Sequence, residues 1–258
     1  MHAWGLLPKR MKNMAKRDTF LIVDTETTNP TKNSTSKVAD FGAVVVTKKG
    51  EILAQCAVLV NGIYTDKENH PLFYNNDAGE LWTKASLARR YNKYNDMVAN
   101  GTRMLASVPA INAWLAKVKQ TFDPYLTAYN LAFDLNQCAN TGIDLTAFAD
   151  KQFCLWHAAS DKYAFTKAYK NYILENHLFN SRTSKGNCSY KTNAEVMRHF
   201  ICKTDTSEAE PHTALEDVLY WELPILKALV NSTPKKKWLN PKAYNWRGVQ
   251  LKDHFTAK

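Results

Sequence analysis

No apolar run in the chain approaches the ~18 residues a membrane-spanning helix needs, which argues against a helical membrane protein. A secretory leader is not expected either. The opening "AWGLL" is too short for an apolar leader core and runs at once into Lys9 and Arg10. Cysteine is sparse: Cys56, Cys138, Cys154, Cys188 and Cys202 are widely spaced, with no CxxC pair. That pattern speaks against a disulfide frame or a cysteine zinc site and for free thiols in a reducing compartment, so the expected location is cytoplasmic. Internal repeats and low-complexity tracts are also missing, which leaves one domain as the expected count.

What is present is a chain of 258 residues, 45% hydrophobic and 22% charged, long enough for one large α/β core. The net charge of +10 is unevenly placed. Residues 1–17 carry five Lys/Arg and no acid, and residues 234–258 carry seven against Asp253 alone. Twelve of the 34 basic residues but one of the 24 acids thus sit in the two ends, leaving residues 18–233 at a net of −1. These ends read as a basic N-terminal arm and a basic, aromatic C-terminal tail, either simply solvated or touching nucleic acid around a nearly neutral body.

Within that body, "TFLIVD", "VADFGAVVVT" and "EILAQCAVLV" are β-rich apolar runs, and Lys48-Lys49-Gly50 joins the last two as a hairpin. Residues 61–78 read as a loop, and Glu80 to Asn100 as a helix with Leu81, Ala88, Tyr91 and Tyr94 or Met97 on one face. Ser107 and Pro109 mark another helix start. "YLTAY" is expected to be a short strand, "LAFDLNQCA" a helix and "QFCLW" a further short strand. "HAASDKYAFTKAYKNYILENH" and "TNAEVMRHFI" follow as helices, then a long closing helix interrupted at Pro224. Three strands in a row, then alternating helices and strands, predict an α/β fold: a mixed sheet, antiparallel meander plus parallel strands, flanked by helices.

Three short patterns carry chemistry. Asp24-Thr25-Glu26 ends the first strand, and residues i and i+2 of a strand face the same way. Two carboxylates so aimed repel unless a cation lies between them, and hard divalent cations take such oxygen ligands. A second D-x-E, Asp66-Lys67-Glu68, sits in a polar loop and reads as solvated surface. "YNLAFDL" places Asn130 and Asp134 on one helix face just after a strand. Asn130 serves equally as a helix N-cap, and Asp134 as a plain exposed acid. "HTALEDV" sets His212 five residues before Asp217. On a regular helix those side chains diverge by about 140°. They converge only if Asp217 is helical and His212 lies in the loop or loosened turn before it, a start that Pro211 marks. The alternative is a solvated helix end.

Taken together, "LIVDTETT", "YNLAFDL" and "HTALEDV" resemble the three motifs of the DEDDh 3′–5′ exonucleases, the DnaQ-like group of the ribonuclease H-like fold, over Asp18 to about Asn231. The resemblance implies a metal-dependent 3′–5′ exonuclease that releases nucleoside monophosphates from single-stranded DNA or RNA 3′ ends, with DNA placed ahead of RNA. Two Mg²⁺ or Mn²⁺ ions are implied, one held by Asp24, Glu26 and Asp217 and one by Asp24 and Asp134. His212, a residue type with a pKa of about 6.5, is implied to take the proton of the attacking water. Thr27 and Thr28 are implied to set N–H and hydroxyl groups against the terminal nucleotide. Phe133 is implied to stack on or wedge against a base, with plain core packing as its alternative. Asn130 is implied to shape the same pocket. Ribonuclease T-like RNA trimming and proofreading as a polymerase subunit are the enzymatic alternatives, and a non-catalytic nucleic-acid-binding protein is the remote one. Many members of the group form dimers, so a homodimer is implied by resemblance alone.

Two departures stand out. Asn29 replaces the family's usual glycine after the second threonine. Residues 61–105, with "NHPLFYNND" and "LARRYNKYN", match nothing in the usual pattern and are expected to carry substrate preference. Beyond the matched region, Trp238, Tyr244 and Trp246 interleave with lysines. That tail suits a strand-binding arm, a docking peptide for a polymerase or other replication partner, or tryptophans packed back on the domain.

Overall fold

The computed structural model describes residues 4–6, 18–28, 35–66, 93–179, 188–204, 208, 210–242 and 250–251. Asn29, residues 67–92, Tyr244 and Trp246 therefore lie outside the described residues. Strands β1 (Trp4–Leu6), β2 (Thr19–Thr27), β3 (Val38–Thr47), β4 (Ile52–Val60), β5 (Met104–Ala106) and β6 (Tyr125–Thr127) form one mixed sheet. Its order is β1-β4-β3-β2-β6, with β5 also on β4. β2, β3 and β4 are the antiparallel meander, while β6 runs parallel to β2 and β5 parallel to β4. The lysine pair and Gly50, at φ 86°, turn β3 into β4 as expected.

Both faces of this sheet are covered, which is why its strands read as near-continuous apolar runs. Leu21, Val23, Phe41, Ala43 and Val45 enter one core. It is shared with helix α1 (Val108–Phe122), capped by Ser107, and with α2 (Leu131–Thr141). Phe20, Ile22, Val44 and Val46 point the other way, into a core shared with α3 (Leu155–Ala159), α4 (Lys167–Glu175) and α5 (Ala194–Cys202). That second core also takes α6 (Ala214–Asp217) and α7 (Leu223–Ser232). The period of two then carries Asp24 and Glu26 onto the same face as Phe20 and Ile22, where β2 leaves the core. Helix α6 approaches β3 so closely that a Cβ on Gly42 would stand 2.3 Å from the backbone carbon of Ala214. Only glycine fits there.

Two sequence expectations give way. "QFCLW" is not a strand: Gln152 makes a single parallel bridge to Leu126, and the helix starts at Leu155. Pro224 does not interrupt the closing helix. Residues Val218–Glu222 widen into a π-helical turn between α6 and α7, which places the proline, with no N–H to donate, in the first turn of α7. Parts of the two basic ends pack on the domain. Trp4–Leu6 pairs antiparallel on β4. Trp238, on α8 (Lys235–Leu239), is buried against Phe20, Tyr125 and Phe153, as in the packed-back reading of the tail. Among the described residues no helix is long and apolar enough to cross a membrane.

Candidate active site

His212 lies in the left-handed region, at φ 52°, in the loop before α6, and Asp217 is on the helix. This is the loop-then-helix arrangement that the five-residue spacing requires for convergence. Ligand atoms of Glu26, His212 and Asp217 all come within 4.8 Å of one another. Glu26 is half-buried, His212 exposed and Asp217 buried, so the group opens to solvent on the histidine side. Asp217 Oδ1 has no hydrogen-bond partner although it is buried.

Asp134 enters from the other helical layer and is 1% exposed, not the exposed acid its helix position allowed. The Thr25 hydroxyl donates to its Oδ1 at 2.8 Å, fixing it to the strand that carries Asp24 and Glu26. Burial pushes Asp134 up to about 8. Asp217 rises to about 9, through burial first and then Glu210, Glu26, Asp40 and Glu216. Asp24 is raised well above the ordinary carboxylate range by burial, then by Glu222, Asp134, Asp217 and Glu26. Each acid makes the others harder to ionise.

Two acids here escape the motifs. Glu222, on the π-helical turn, is buried and accepts the Tyr129 backbone N–H at 3.1 Å, while its other oxygen has no partner. It too is raised well above the ordinary range, by burial and then Asp134. Glu210 is raised to about 7 by burial, Glu26 and Glu195. A carboxylate inside the apolar "VLYWELPIL" was the one signal for Glu222. No signal marked Glu210.

The remaining expected residues divide. Asn130 takes φ 78° and its side chain does not cap α2, so the capping alternative falls away. Phe133 is half-buried and belongs to neither core cluster. Thr27 and Thr28 are buried. The Thr28 N–H donates to Lys37 O at 2.9 Å, and its hydroxyl accepts from Lys37 N at 3.1 Å. These two Thr28 groups bind the protein's own backbone and close the end of β2.

Next to Asp217, the neighbouring Glu216 belongs to a different cluster. Arg103 donates through Nη2 to Glu216 Oε2 at 2.5 Å and through Nε to Asp40 Oδ1 at 3.1 Å. Asp40 also accepts from the Tyr94 hydroxyl at 2.8 Å and from Ala214 N, the first residue of α6, at 2.9 Å. The unmatched 61–105 segment thus ends in a buried arginine that braces the helix carrying Asp217.

The residues fit a divalent cation. Several oxygen donors converge, and two buried carboxylate oxygens, one on Asp217 and one on Glu222, lack hydrogen-bond partners among the described residues.

No family model and no curated protein matches the sequence. Among solved structures, the chain is similar to E. coli Exonuclease I in complex with a dA16 oligonucleotide, at 14% sequence identity and a TM-score of 0.45. The similarity covers 84% of this chain and 42% of that one, so the chain spans less than half of that protein's length.

Proposed function

We propose that the chain is a metal-dependent 3′–5′ exonuclease that releases nucleoside monophosphates from single-stranded nucleic acid ends, DNA ahead of RNA. One observation carries this reading. Glu26, from the first motif, meets His212 and Asp217, from the third, within 4.8 Å at the solvent-facing edge of the sheet. Asp24, Glu26, Asp134 and Asp217 would hold two Mg²⁺ or Mn²⁺ ions. Such a pair supplies charge stabilisation at the entering and departing oxygens of an in-line displacement at phosphorus.

The chain's own groups do the rest. A ring nitrogen of His212 takes the proton of the attacking water, and its loop position lets the ring approach without disturbing α6. Thr25 holds the Asp134 carboxylate in place through its hydroxyl. Arg103 and Asp40 fix the start of α6, and with it Asp217. Phe133 would meet a base, a role supported by its half-buried position outside both cores.

The test is hydrolysis of oligonucleotides carrying a 5′ label, DNA and RNA, single- and double-stranded, with Mg²⁺ and with EDTA. The reading expects a ladder of shortened 5′-labelled products on single strands with Mg²⁺ only, and none when the 3′ end is blocked. Cleavage that persists in EDTA, or that ignores a blocked 3′ end, overturns it.

A further inference from the structure

Beside the acids lies a cavity of about 590 Å³, within the size range of small-ligand pockets. It is lined by Tyr129, Asn130, Trp156, Tyr190, Lys191, Thr192 and Asn193. Neither the three motifs nor the catalytic reading uses its far wall. Its near wall is continuous with the acid site: Tyr129 N donates to Glu222, and Asn130 opens the helix that carries Asp134.

Three aromatic rings face this space, and two are tied by their polar tips to one residue. Trp156 Nε1 donates to the Thr192 hydroxyl at 3.0 Å, and the Tyr129 hydroxyl donates to Thr192 O at 2.5 Å. Rings anchored in this way keep their orientation before any ligand arrives, which lowers the ordering cost of binding. Two amides share the wall. Asn130 and Asn193 each sit at the start of a helix, and neither spends its side chain on capping it. An amide offers both a donor and an acceptor, as the edge of a nucleobase does. Lys191, half-buried, adds the one cation of the lining.

We infer that this cavity is a nucleobase subsite. It takes one base of the single strand that flanks the scissile phosphate, stacked against Trp156, with its edge met by Asn193 and its phosphate by Lys191. The inference rests on the nuclease reading for the strand itself, but the base-binding groups Trp156, Lys191 and Asn193 lie outside the three motifs. Stacking plus edge recognition at one position predicts a base requirement at a fixed distance from the cleaved bond.

The experiment measures binding of 5′-fluorescein-labelled oligo-dT to the full chain in EDTA by anisotropy, so that no turnover enters. A single abasic nucleotide is moved stepwise from the 3′ end. In the wild type, one lesion position should weaken binding by about 5- to 100-fold, the usual worth of one stacked base. In Trp156→Ala, and separately in Asn193→Ala and Lys191→Gln at the rim, the loss at that position should shrink while losses elsewhere stay. Far-UV circular dichroism identifies any variant that fails to fold, and the rim variants keep the test valid if Trp156→Ala does. Lesion profiles identical between the wild type and folded variants overturn the subsite, as does wild-type binding that no lesion weakens. If the wild type hydrolyses single strands with Mg²⁺ while these profiles coincide, the subsite alone fails. If it neither binds nor hydrolyses them, the nuclease reading fails with it.

Discussion

Glu216 and Asp217 are neighbours in sequence and opposites in environment. Glu216 belongs with Asp40, a buried carboxylate whose oxygens are taken by Arg103, Tyr94 and the first N–H of α6. Asp217 belongs with Asp24, Asp134 and Glu222, of which Asp134 accepts from the Thr25 hydroxyl and Glu222 from the Tyr129 backbone N–H. The same fold therefore pairs one acid cluster with a fully buried arginine, while among the described residues no lysine or arginine forms an ion pair with Asp24, Asp134, Asp217 or Glu222. An uncompensated buried charge is costly, so a cluster of this kind persists where an external cation completes it. The paired cluster holds the helix, and under the proposed nuclease reading the unpaired one faces the chemistry.

The largest effect that separates the two clusters should come from Asp217→Asn or Asp24→Asn. Hydrolysis should fall below detection, while the metal-free Tm stays the same or rises, because one repelling carboxylate is gone. Near wild-type turnover in either variant breaks the comparison at its active side. His212→Ala should slow hydrolysis by about 10²–10⁴-fold, the usual worth of a general base, with the loss shrinking at high pH. If metal binding disappears with the rate, His212 is a ligand, as its closeness to Glu26 and Asp217 also permits.

On the paired side, Arg103→Leu strands Asp40 without its cation. The expected cost is about 3–5 kcal/mol, or a Tm lower by about 6–20 °C for a chain of this size. Adding Asp40→Asn should recover part of the loss. A thermal melt of Arg103→Leu that overlays the wild type would show that the brace contributes nothing to stability.

A smaller effect concerns pH. Asp134 at about 8, Asp217 at about 9 and Glu210 at about 7 keep protons in the folded state. The unfolded chain releases its carboxyl protons near pH 4. Between about pH 4 and pH 9 the folded state thus binds more protons, so metal-free stability should fall as pH rises through that window. Melts in EDTA should show this decline, flattened in Asp217→Asn, and Mg²⁺ should offset it most at the alkaline end. A metal-free Tm that climbs from pH 5 to pH 9 would contradict the raised acids.

How far the sequence foretold these clusters depends on the range of the signal. The meander was legible because β-rich apolar runs and the Lys48-Lys49-Gly50 turn are local. So was the offset of His212 from Asp217, because helical geometry forbids convergence any other way. Glu222 was hidden because it sits on a π-helical turn, whose period differs from the 3.6 that places a residue on a helix face. Asp40 did leave a trace, an acid within a strand otherwise apolar from Val38 to Val46. Its partner Arg103 lies 63 residues away, and pairing over such a distance leaves no periodic mark. Trp238 was readable as a residue but not as a contact, since lysines on both sides suit an arm and a docked helix alike.

Isothermal titration of the metal-free protein with Mn²⁺ at pH 7, in buffers of different ionisation enthalpy, tests the unpaired cluster most directly. Carboxylates must release their protons to bind a cation. The account predicts binding to two sites with net proton release, reduced in both respects by Asp217→Asn and unchanged in folded Glu216→Gln. Binding that releases no protons, or that Asp217→Asn leaves intact, would contradict it.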